Sequence, residues 1–79
     1  MHDLLKHLAK LPQFQSQALY GCVVHLQTGC TVSMYDSVEP KYAEVFNLSW
    51  PGQPTDVRMP ADANKYIELM QAEARLLDL

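Results

Sequence analysis

Apolar residues recur three and four apart at the start of this chain, then at every second position, then three and four apart again. Leu4, Leu5, Leu8 and Leu11 make the first stripe, with Lys6, His7 and Lys10 on the other side. Asp3 suits an N-cap, and Pro12 ends the helix because a residue before proline is pushed out of the α region. A helix of about two turns is marginal alone, so its leucines must hold it by packing. Gln13 to Gln17 is polar apart from Phe14 and reads as a connector.

From Ala18 to Asp36 the period becomes two, which predicts a β-hairpin turning at Gly29. Tyr20, Cys22, Val24 and Leu26 share one face; Gly21, Val23 and His25 share the other. After the turn, Cys30, Val32 and Met34 alternate with Thr31, Ser33 and Tyr35. A two-residue loop at Thr28-Gly29 would set one strand's apolar face beside the other's polar face. A three-residue loop, Gln27-Thr28-Gly29, pairs Leu26 with Cys30, Val24 with Val32 and Cys22 with Met34, and wants Gly at its left-handed third position. The three-residue loop is therefore expected.

Ser37 to Lys41 makes the next turn, and Tyr42 to Trp50 a third strand with Tyr42, Phe46, Leu48 and Trp50 in phase. Glu44 interrupts that face. Pro51-Gly52 fits the centre of a type II turn, and Gln53 to Arg58 reads as a loop. Pro60 suits the first turn of a helix running from about Ala61 to the C-terminus. Ala63, Tyr66, Ile67, Met70, Ala74 and Leu77 form its core stripe. The expectation is a single small α+β domain over residues 1–79, of order α-β-β-β-α, with a three-stranded antiparallel meander and two helices packed on one face. The double-stranded RNA-binding domain has the same element order, and the resemblance is of order alone. Its second helix starts with a basic run, where this chain has Pro60-Ala61-Asp62-Ala63-Asn64-Lys65.

Composition narrows the function classes. The 79 residues are 48% hydrophobic and 19% charged, which is ordinary for a globular domain. The net charge is -3, with six scattered Lys and Arg, so no basic stripe awaits a phosphate backbone. No window approaches the roughly 20 apolar residues of a membrane span, and no export signal is visible. The two cysteines then fit a reduced, cytoplasmic setting.

The sharpest chemical cluster is Cys22, His25 and Cys30, whose Cys-x-x-His spacing invites a metal reading. The expected hairpin separates it: Cys22 lies on the core face and His25 on the other. Cys30 sits about four residues along from Cys22, roughly 13 Å at 3.3 Å per residue, beyond disulfide reach. Asp3 and His7, four apart, could pair, but no nucleophile or oxyanion donor accompanies them. No glycine-rich phosphate loop or hydrolase motif is present. The chain is expected to have no catalytic residues, no metal and no cofactor.

The functional clue is leftover apolar surface. Leu69, Ala72, Leu76 and Leu79 follow a 3-4-3 spacing on the helix side opposite the core stripe, a seam suited to another helix. The outer sheet face, with Val23, His25, Tyr35, Ala43 and Val45, is the second candidate surface. The reading is a small acidic, non-catalytic interaction module that binds a partner protein or a second copy of itself. A phage or mobile-element inhibitor or accessory protein is one form of it. A nucleic-acid-binding domain and a small metal or thiol protein are the alternatives.

Overall fold

The computed structural model describes residues 3–35 and 45–77. The expected turn Ser37–Lys41, together with Tyr42, Ala43, Glu44 and Leu79, lies outside them. The elements are α1 (Asp3–Ala9), β1 (Phe14–Gln17), a 3₁₀ turn (Ala18–Tyr20), β2 (Cys22–His25), β3 (Thr31–Met34), β4 (Val45–Ser49), β5 (Val57–Pro60) and α2 (Ala63–Leu77). The strands form one antiparallel sheet in the order β1-β2-β3-β4-β5, a meander in which each strand pairs with the next. The domain is α+β, with five strands rather than three.

Both extra strands lie at the sheet edges, and that is why their patterns are faint. β1 is Phe14 followed by three exposed polar residues, since an edge strand needs little apolar side chain. It is a strand, not a connector. β5 spans only Val57 to Pro60, so its alternation is two residues deep. Pro60 ends that strand instead of opening the helix. Asp62 does the capping: its carboxylate accepts from the Lys65 N–H at 3.1 Å.

The β2–β3 hairpin corrects the expected register. Cys22 pairs with Ser33, Val23 with Val32 and Val24 with Thr31. His25 and Cys30 close the loop, the His25 N–H donating to the Cys30 carbonyl at 2.8 Å. Leu26 to Gly29 is thus a four-residue loop, neither the two nor the three residues weighed from the sequence. Gly29 is left-handed, at φ 75°, as the turn requires. The slip turns β2 over. Val23 is fully buried and His25 is 3% exposed, whereas Leu26 is exposed and Val24 faces outward. Val23 and His25 therefore do not belong to the outer face.

The other turn is as expected. The Gln53 N–H donates to the Trp50 carbonyl at 3.2 Å and Gly52 has φ 80°, the type II geometry. The two loops touch: a Cβ on Gly29 would sit 2.8 Å from Cγ of Pro51.

The core joins Leu5 and Leu8 of α1, Tyr66 and Met70 of α2, and the inward residues Phe14, Val23, Cys30, Val32, Phe46 and Leu48. Tyr66 meets Phe46 edge to face, and its hydroxyl donates to the carbonyls of Met59 and Pro60, tying α2 to β5. Ala63 and Ile67 pack beside this core, but Leu77, assigned to the core stripe, is exposed. Among the described residues no helix is long and apolar enough to cross a membrane.

Candidate functional site: a cleft beside the last helix

At the end of the sheet where both glycine loops lie, the second half of α2 stands away from the β4–β5 connection. The space between is a cleft of about 560 Å³, within the range of ligand-sized sites. Leu69, Glu73 and Leu77 line it from the helix, three residues spaced by four and so on one flank. Trp50, Pro51 and Val57 line the opposite wall, and Thr28 closes one end. Val57 and Leu77 are exposed large apolar residues, and both open onto this space.

Two features fix the walls. The Pro51 ring rests on Gly29, so the hairpin loop supports the Trp50–Gln53 turn. The Trp50 indole N–H is buried and meets no hydrogen-bond partner among the described residues, so packing holds the ring. Among the described residues Glu73 is the single charged group of the lining, and no Lys, Arg or His faces it there. A carboxylate on a partly apolar wall favours a cation, because desolvation strengthens the attraction.

His25 supports this end from inside the core. Its Nδ1 lies 2.8 Å from Thr28 Oγ1 and accepts from the Thr28 N–H at 3.3 Å. The Cys30 N–H in turn donates to Thr28 Oγ1 at 3.3 Å. Nδ1 is thus an acceptor and the ring is neutral. Burial lowers its pKa below the usual 6.5. Phe14 packs on it edge to face, ring centres 5.1 Å apart. A polar residue sits in this core because its hydrogen bonds are met locally.

The hairpin sets His25 opposite Cys30, which superficially resembles a nucleophile and its base. The environment opposes it. Burial pushes the Cys30 thiol up to about 12, helped by the Glu73 charge and offset in part by a hydrogen bond at the Ser49 backbone. A thiol held protonated is not a nucleophile, and the imidazole nitrogen is already engaged by Thr28. Cys22 faces away from Cys30 on the sheet, and both are free thiols. Among the described residues no group of three His, Cys, Asp or Glu could hold a metal ion.

The residues singled out from the sequence scatter. Leu69 lines the cleft, while Ala72 and Leu76 are exposed on the next flank of α2. Tyr35 and Val45 are half-buried neighbours on the outer face, where the Arg58 guanidinium lies 4.4 Å from the centre of the Tyr35 ring. Val23 and His25 are in the core. Trp50, Val57, Glu73 and Leu77 were missed. The four-residue spacing of Leu69, Glu73 and Leu77 carries a signal, but Val57 becomes an inward residue only once β5 is recognised.

Comparison with protein-family models, curated proteins and solved structures finds no match to this chain.

Proposed function

We propose that this chain is a non-catalytic protein-interaction module whose cleft receives a basic, partly apolar segment of a partner protein. It acts by occupying that segment, as an inhibitor or accessory subunit would. One observation carries the reading: the cleft combines the exposed side chains of Val57 and Leu77 with a carboxylate, Glu73, that among the described residues of the lining stands alone and meets no cation. An apolar side chain of the partner would lie against Leu69, Leu77 and Trp50, and a lysine or arginine next to it would reach Glu73. The buried Cys30 and the Thr28-bound His25 support a structural use of this thiol and imidazole.

The test uses three baits in parallel: the native chain, Leu69→Asp and Glu73→Lys. Proteins retained by each from a cell lysate are identified by mass spectrometry. A protein held by the native chain and lost with both variants supports the reading, the more so if Glu73→Lys is rescued by raising an acidic residue in place of the partner's basic one. Identical retention by all three baits overturns it.

A further inference from the structure

The two sheet edges are not equally protected. Strand pairing leaves alternate residues with backbone groups pointing away from the sheet. In β5 these are Arg58 and Pro60, because Phe46 and Leu48 bond to Met59 and Val57. Pro60 has no N–H, and its carbonyl takes the Tyr66 hydroxyl. A second copy pairing there about Arg58 would set two guanidinium groups face to face. Proline and like charge are the usual guards of an edge strand.

β1 has neither guard. The Leu26 N–H donates to the Gln13 carbonyl at 2.9 Å, so Gln13, Gln15 and Gln17 point their backbone toward β2. Phe14 and Ser16 point outward. The Phe14 N–H is used by Leu11, at 3.1 Å, which leaves the Phe14 carbonyl and both backbone groups of Ser16 facing the open edge. The strand holds no charge, and Gln15, Ser16 and Gln17 are all exposed. The two most exposed large apolar residues among those described, Leu19 at 89% and Tyr20 at 77%, follow immediately in the 3₁₀ turn.

We infer that β1 is a self-association edge, and that two copies of this chain join β1 to β1 in antiparallel fashion about a two-fold axis at Ser16. The Ser16 N–H of each copy donates to the Ser16 carbonyl of the other. Faces are kept, so Gln15 lies opposite Gln17 of the partner subunit, twice, with neutral amides that suit each other. The same pairing brings Leu19 and Tyr20 of each copy toward the Leu11–Gln13 turn of the other, which would cover the most exposed apolar side chains of the described chain. The contact is isologous and closes at two copies. It leaves the cleft free, and it stands whether or not the cleft binds a partner.

Light scattering on the full chain, up to about 1 mM, measures the association. The expected result is a mass rising from the 9.0 kDa of one chain toward twice that value and no further. Gln15→Lys with Gln17→Lys places like charges opposite each other and should weaken the dimer at least about tenfold. Gln15→Lys with Gln17→Glu, at the same exposed positions, should restore or tighten it by pairing opposite charges. Ser16→Pro removes the donor at the axis and should give a monomer, while Glu73→Lys leaves the dimer intact. A monomer throughout the range, assembly beyond two copies, or a dimer indifferent to both Gln15/Gln17 pairs would overturn the inference. Circular dichroism of each variant confirms that the fold is kept.

Discussion

Two loops meet at one end of this sheet, and both turn on a glycine with positive φ: Gly29 at 75° and Gly52 at 80°. Around Gly52 nothing lies within 4 Å of where a Cβ would be, whereas at Gly29 that atom would strike Pro51. The Trp50–Gln53 turn is thus local, set by the conformations of Pro51 and Gly52. The Leu26–Gly29 loop is built from outside itself, by Pro51 beneath it and by the buried His25 and Thr28 that hold its shape. One glycine answers to backbone preference, the other to backbone preference and to space.

Substitution can separate those demands. Gly29→Ala carries the largest expected effect. It combines a left-handed backbone penalty of about 1–2 kcal/mol with overpacking of about 1–3 kcal/mol. Urea unfolding should show a loss of about 2–5 kcal/mol. Adding Pro51→Ala should recover the overpacking part and leave the backbone part. Full additivity of the two changes would break the distinction between the loops.

Thr28→Val comes next, at about 1–3 kcal/mol, because it leaves the buried His25 nitrogen and the Cys30 N–H short of a partner. Gly52→Ala should cost only the backbone part, about 1–2 kcal/mol, and Pro51→Ala should not alter it. A loss at Gly52 as large as at Gly29 would contradict the open space found there.

The gentlest effect is a pH slope. The folded pKa of His25 is lowered by burial, so the unfolded chain binds a proton that the native loop refuses. The stability from neutral His25 is complete above about 6.5. It is lost progressively as pH falls below that value toward the lower folded pKa. Relative to the intrinsic exchange rate at each pH, the protection of the Gly29 amide, whose N–H bonds the His25 carbonyl, should fall on acidification, while that of Gln53 holds steady. An equal loss of protection at both amides would remove His25 as the cause.

What could be read from residues follows the same divide. Helix α1, the stripe of Ala63, Tyr66, Ile67, Met70 and Ala74, the inward phase of Phe46 and Leu48, and the Pro51-Gly52 turn are all local patterns, and the structure has them. The register at Gly29 was not readable, because it depends on whether His25 can be buried. That depends on Thr28 meeting its nitrogen and Phe14 packing on its ring. Matching Cys22, Val24 and Leu26 to Cys30, Val32 and Met34 as one apolar face, across a three-residue loop, sets β2 the wrong way round. The edge strands were hidden for a related reason: Gln15, Ser16 and Gln17 join the sheet through backbone bonds that leave no mark on side-chain periodicity. Of the cleft, only Leu69 had been singled out, since its other wall belongs to a loop and a strand that the pattern does not reveal.

The meander order has a consequence in time. Every strand pairs only with its neighbour in the chain, so the sheet can form in the order of synthesis, with short loop closures at each step. Its apolar face is another matter. Val32, Phe46 and Leu48 of the sheet share a buried cluster with Tyr66 and Met70 of α2, which follows all five strands in the sequence. A chain under synthesis therefore carries a paired sheet covered only by α1 until α2 emerges, and commitment to the native state waits on that helix.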